Sequence, residues 1–153
     1  MQMSNLASKF SYDDSNVVVA GAQSPWVRRR SLALADLVNE SWALPPPQRA
    51  YEPLFVEVFR ANGLACPRAT VFTISAEARI SLVATGRFLS IVPTSTLRFP
   101  RRRPEIKVLP VKLSIARVPF GIVTLRNRTL SPAAQLFIKH AREVAKPLAM
   151  RKS

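Results

Sequence analysis

The sequence predicts an α/β fold containing a parallel sheet, and three observations predict it. First, Ala69 to Pro93 reads as strand, helix, strand: a β-rich run, Ala69–Ile74, then a helical pattern behind Ser75, then Phe88–Val92 ending on Pro93. Two strands and a helix within about 25 residues form the βαβ unit of a parallel sheet. Second, the chain has only four glycines, and two of them, Gly63 and Gly86, each close a helical pattern just before a β-rich run. Third, Asn16–Gly21 is apolar almost without interruption, which is the signature of a strand buried on both faces.

The remaining elements follow in order. Met1 to Ser15 is polar and weakly patterned apart from Leu6, Phe10 and Tyr12, so a weakly ordered segment is expected. Ala22–Val27 reads as an extended connection through Pro25, leading to Arg28-Arg29-Arg30, which fits a solvated loop or a phosphate or partner contact. Ser31–Leu37 approaches one helical turn. Trp42-Ala43-Leu44 is a short strand closed by Pro45-Pro46-Pro47, which forbid helix and fit either a rigid connection or a polyproline ligand. Pro53–Asn62 is a helix, with Leu54 set against Val58 and Phe55 against Phe59 at i,i+4. In the next helix, Ala76–Thr85, Ser75 is the N-cap, Glu77 stands in the first turn where the dipole favours an acid, and Ile80, Val83 and Ala84 form the buried face.

Beyond it, Thr94–Arg98 is a polar turn and Pro100–Pro104 a basic loop. Ile106–Leu113, interrupted by Pro110, suits an edge strand. Arg117–Leu125 is a further strand. The last helix begins at Ser131 as N-cap with Pro132 at its first position and is expected to stop at Lys146, before Pro147. Phe137, Ala141 and Val144 form one apolar stripe, with Ala134, Ile138 and Ala145 beside it, and Lys139 is set to pair with Glu143.

Composition narrows the function. The 153 residues suffice for one domain or two small lobes, and 48% apolar with 21% charged is ordinary for a globular chain. A single cysteine, Cys66, and a single histidine, His140, supply neither a disulfide framework nor a zinc site, and no acid-base pair, P-loop or nucleophile elbow is recognisable, so no metal, no cofactor and no catalytic residue is expected. No apolar run approaches the ~20 residues that span a bilayer, which favours the cytoplasm and no membrane partner. The net charge of +14 favours anionic partners without choosing among nucleic acid, acidic ligands and membrane surfaces.

Three strings, LADLVNESWALPPP, VATGRFLSIVP and LSPAAQLFIKHAREVAK, with VVVAGAQSPWVRRRSLALADL before them, together resemble the effector-binding domain of LysR-type transcriptional regulators. Their order and spacing, from about Tyr12 to Leu148, carry the resemblance. It implies a periplasmic-binding-protein-like (type II) sensor of two α/β subdomains, joined by two crossing strands, with a small molecule between the lobes. Laid onto this chain, residues 24–113 would be one nearly complete Rossmann-like subdomain and 16–23 a crossing strand. Residues 114–148 would be the return strand and a terminal helix packing on the first subdomain, 1–15 the N-terminal segment and 149–153 a tail. Only remnants of the first subdomain are recognisable, and no helix-turn-helix signals occur, so the chain is expected to be an N-terminally truncated regulator without its own DNA-binding head. The family pattern has a second glycine two residues after Gly86, where this chain has Phe88.

The resemblance places effector binding at the strand-to-helix turn Thr73, Ile74 and Ser75, where hydroxyls and backbone amides would receive an anion, commonly a carboxylate. The loop Pro46-Pro47-Gln48 would face the same cleft, and Gln23 and Phe120 would flank it. Equally, Ser75 could serve only as a cap and Thr73 only as a strand end. The implied function is small-molecule sensing within a homo-oligomeric regulator, without direct sequence-specific DNA contact from this chain. The alternatives are a basic protein holding nucleic acid non-specifically through Arg28–Arg30 and Arg98 with Arg101–Arg103, or a truncated regulator with no autonomous activity.

Overall fold

A computed structural model describes residues 6–46, 52–68, 71–97, 103–114 and 118–149. In chain order its elements are β1 (Leu6–Asp14), β2 (Asn16–Gly21), β3 (Ala43–Leu44), α1 (Glu52–Ala61), β4 (Val71–Phe72), α2 (Ala76–Ala84), β5 (Leu89–Pro93), β6 (Ile106–Val108), β7 (Val118–Leu125) and α3 (Pro132–Ala149). Contacts divide the chain into two compact units, one of Met1–Ser15 with Arg117–Ser153 and one of Asn16–Ala116.

The Asn16–Ala116 unit is built on β2, which pairs antiparallel with β5 on one side and β6 on the other. A parallel bridge between Trp42 and Leu89, with the Leu89 N–H donating to Ser41 O at 2.9 Å, adds the parallel pair β3–β4 beyond β5. The strand order is therefore β4-β3-β5-β2-β6, with β2 running against its four companions. The expected βαβ unit is present, with β3 inserted between its two strands. β6 takes the edge position that Pro110 foretold.

Side chains alternate along a strand, and β2 uses both faces. Val18 and Ala20 join one buried cluster with Leu32, Leu37, Trp42, Val58, Phe59, Ile91 and Leu109. Val19 joins another with Ile80, Val83, Val92 and Ile106, which is the α2 side. In the larger cluster Trp42 is fully buried, meets Phe59 edge-on with centroids 5.5 Å apart, and donates its indole N–H to Leu37 O at 2.8 Å. Gly63 and Gly86 adopt φ of 67° and 78°, the left-handed conformation that ends α1 and α2.

Several expectations need correction. Pro25–Arg28 is a 3-10 turn rather than an extended connection, because the Ser24 hydroxyl caps it by accepting the Trp26 N–H at 3.4 Å. The segment expected to be weakly ordered contains β1, nine residues long, paired antiparallel with β7 from Leu6↔Leu125 to Asp14↔Val118 around an irregularity at Ser8/Phe10. Tyr12 and Phe120 stack across that ladder with centroids 5.9 Å apart.

α3 continues through Pro147 to Ala149. Proline's φ is helical, and a proline so near the C-terminus interrupts only the last turn. Of the two apolar stripes of α3, the second is the buried one: Ile138 and Ala145 are buried with Ala134 and Ala141 half-buried, while Phe137 and Val144 point outward. α3 packs on β1, and a stripe rich in alanine lets the helix approach the strand closely. Glu143 engages His140 at 3.2 Å rather than Lys139. The side chains of Leu54 and Phe55, and residues Arg98 to Arg102, lie outside the described residues.

Candidate functional site

β3, β4 and β5 run parallel, so their carboxyl ends open on one edge of the sheet. That edge carries Pro45–Pro46 after β3, Thr73–Ser75 after β4, and Thr94 after β5. The Thr73 N–H donates to Leu44 O at 3.0 Å, which fixes the turn beside the start of the proline loop. Open α/β sheets place ligands at this edge.

Within the turn every hydroxyl accepts. Thr73 Oγ1 takes the Ser75 N–H at 3.2 Å, and Ser75 Oγ takes the Ala78 N–H at 3.2 Å, so Ser75 is the N-cap that the sequence indicates. A hydroxyl that accepts still has its own O–H to donate. The first N–H groups of a helix have no acceptor within it; those of Ser75 and Ala78 are taken, which leaves Ala76 and Glu77. The turn thus presents two O–H and two N–H donors together. Ser75 is exposed, Thr73 half-buried, and Ile74 74% exposed.

Two arginines border this turn, and sequence reasoning missed one of them. Arg79 is only 8% exposed, and its Nη1 donates to Thr73 O at 2.9 Å and lies 3.5 Å from Ile74 O. Burial pushes its guanidinium below the usual arginine range. The available signal was its spacing: Arg79 stands four residues after Ser75, on the same helical face as the cap. Arg103, expected in a basic loop, is instead clamped to Glu77 by two hydrogen bonds of 3.0 and 2.7 Å. That contact holds the Glu77 carboxyl below the usual carboxylate range. Arg103 is therefore committed, whereas Arg28, Arg29 and Arg30 are exposed.

The predicted residues are only partly brought together. Thr73, Ile74, Ser75 and Pro46 share the carboxyl edge, and Pro47 and Gln48 lie outside the described residues. Gln23 does not join them. Because β2 runs opposite to its neighbours, its C-terminal end meets the far end of α2, where Gln23 Nε2 donates to Thr85 O at 3.1 Å. The length of α2, about 13 Å of helix, separates it from Ser75. Phe120 belongs to the other unit, where it stacks on Tyr12. A depression of about 350 Å³ lined by Val38, Asn39, Glu40, Cys66, Pro67 and Arg68 lies by the segments that enter β3 and β4, at the opposite edge. Among the described residues no group of three or more potential metal ligands occurs, and no helix is long and apolar enough to cross a membrane.

The model of the LysR substrate binding domain family matches residues 2–146. The chain belongs to this family. Among curated relatives, the LysR-family chain is 26% identical over 106 residues to the HTH-type transcriptional regulator GbpR of Azospirillum brasilense, covering 69% of this chain and 31% of GbpR. It is 22% identical over 134 residues to the transcriptional dual regulator GltC of Bacillus subtilis (strain 168), covering 88% of this chain and 44% of GltC. It therefore spans less than half the length of either relative. The Synechocystis PCC6803 CcmR regulatory domain in complex with 2-PG superposes with a TM-score of 0.70 at 20% identity, over 95% of this chain and 70% of that one. The BenM effector binding domain with its effector benzoate gives 0.66 at 19% identity, over 100% and 69%. These likenesses establish the fold as that of LysR effector-binding domains, the periplasmic-binding-protein-like α/β sensor.

Proposed function

We propose that this LysR-family domain holds a small carboxylate effector at the turn Thr73–Ile74–Ser75, and that occupancy biases a conformational equilibrium of the regulator it serves. One observation carries the reading: Thr73 and Ser75 each spend an acceptor lone pair on the backbone and keep an O–H to donate, beside two helix-start amides. Donors gathered at one helix start, with the turn's carbonyls already engaged by Arg79, match an anion, and the helix dipole adds to it. Benzoate in BenM is such an anion. Pro46, which follows β3 at the same edge, is proposed to border the ligand, with Pro47 and Gln48 after it in sequence. Gln23 is assigned instead to closing the C-terminal end of α2. The role is binding without catalysis, in the cytoplasm.

Ser75→Ala is expected to weaken a carboxylate effector roughly tenfold, the worth of a hydrogen bond to a charged group. It should also cost about 1 kcal/mol of stability through the lost cap. Calorimetric titration against a ligand found by thermal-shift screening of carboxylates checks this, and an unchanged Kd removes Ser75 from the site.

The domain is further proposed to associate with copies of itself. β7 exposes Phe120, Val123 and Leu125, and α3 exposes Leu136, Phe137 and Val144, all between 41% and 66%. Large exposed apolar side chains on adjoining segments mark association surfaces. Sedimentation velocity is expected to show species larger than one chain, and a single monomer across the accessible concentrations would refute it.

A further inference from the structure

We propose that Arg79 is the specificity-determining residue of the Thr73–Ser75 turn: its buried guanidinium is the fixed counter-charge for the effector's carboxylate, so the turn takes anions and rejects their neutral isosteres. The proposal rests on the effector reading of that turn and adds a residue and a selection rule to it.

The argument begins with an uncompensated charge. Arg79 is 92% withdrawn from solvent, and among the described residues no carboxylate pairs with it. The acid nearest to it along α2, Glu77, is held by both of its oxygens to Arg103. Arg79 Nε is buried without an acceptor. Its Nη1 reaches only carbonyls, Thr73 O at 2.9 Å and Ile74 O at 3.5 Å, both in the turn. Burying a charge without a partner is costly, and neutral carbonyls offset it only in part. The balance of that positive charge remains directly behind the turn, where the outward donors are the hydroxyls of Thr73 and Ser75 and the first amides of α2.

An anion seated on those donors relieves two costs together, the unpaired guanidinium and the orphaned helix-start amides. A neutral isostere of the same shape relieves neither to the same degree. Because the guanidinium is buried against the carbonyls of Thr73 and Ile74, its charge is screened less than that of a surface arginine. A purely structural Arg79, tying the turn's carbonyls to α2, would give the turn its shape but no preference between an anion and its amide.

The test uses the full 153-residue chain, labelled with 15N and titrated at constant ionic strength with sodium acetate and, separately, with acetamide. Acetate is expected to shift the Ile74, Ser75 and Ala76 amides and the Arg79 Nε–H resonance saturably, with acetamide at least tenfold weaker. Arg79→Met should reduce acetate binding at least tenfold, to the level of acetamide, and Arg79→Lys should retain a preference for acetate. Equal binding of acetate and acetamide by the parent chain, at the turn, overturns the role of Arg79 while leaving the turn as a binding site. So does an acetate preference that survives in Arg79→Met. Shifts confined to residues away from the turn overturn the effector reading itself. Should Arg79→Met fail to fold, the acetate-to-acetamide ratio and the Nε–H response of the parent chain decide.

Discussion

Trp42→Ala is expected to cost the second unit about 3–5 kcal/mol, the range for truncating a large aromatic in a packed core. Trp42 joins three of the unit's parts. Its backbone forms the bridge to Leu89 that links the parallel strands to the antiparallel ones, its ring meets Phe59 of α1, and its indole N–H satisfies Leu37 O. Truncation opens a cavity in the cluster that holds Leu32, Leu37, Phe59 and Leu89 and removes one of the two hydrogen bonds to Leu37 O, which also accepts the Glu40 N–H at 3.1 Å. With total stabilities of about 5–15 kcal/mol, such a loss takes a large part of the whole. Trp42→Phe separates the two effects: it fills much of the volume but removes the indole hydrogen bond to Leu37 O, which keeps the Glu40 N–H, at about 0.5–1.5 kcal/mol. Urea unfolding followed by circular dichroism measures both, and a loss below ~1 kcal/mol for Trp42→Ala would show that the ring is not central to this core.

Gly21→Val is expected to be the second most damaging change, at about 3 kcal/mol, with Gly21→Ala costing about 1–3 kcal/mol. The reason is close approach, not unusual backbone geometry. A Cβ at Gly21 would stand 2.6 Å from Val83 O, 2.7 Å from Gly86 Cα and 2.8 Å from Gly86 N. All three are backbone atoms, so no rotamer change relieves the overlap. The end of β2 and the end of α2 must separate, and the Gln23–Thr85 contact beside them should go with it. Thermal unfolding of both variants gives the cost, and a Gly21→Val protein within ~0.5 kcal/mol of its parent would contradict the packing of β2 against α2.

The central sheet was legible because its signals are local. Ser75, Glu77 and Gly86 mark the ends of α2 within a dozen residues, and the apolar run of β2 announces burial on both faces. Direction was not local. That β2 opposes its neighbours follows from pairing with β5, about seventy residues later, and without it Gln23 looks like a neighbour of Ser75 when it lies at the other end of α2. Which stripe of α3 is buried was not legible for a different reason: Phe137–Val144 and Ile138–Ala145 are adjacent apolar stripes on one helix, and the pattern alone does not choose between them. Close packing on β1 favoured the stripe with the smaller residues. β1 itself was hidden by Lys9, Asp13 and Asp14 and by the irregularity at Ser8/Phe10, which break its alternation. Arg79 escaped notice because charge on a helix is ordinarily solvated, and only burial shows otherwise.

The ladder between β1 and β7 has a consequence for how the molecule is made. It joins residues separated by roughly a hundred positions, and closing such a loop costs about 4 kcal/mol of chain entropy before constant terms. The second unit is continuous in sequence and can form first, which shortens the effective loop that the ladder must close. During synthesis β1 emerges early and must wait for β7 and α3, an unpaired strand in a crowded setting. The charges and the irregularity that obscure β1 as a strand are also the features that keep a waiting edge from pairing with the wrong partner.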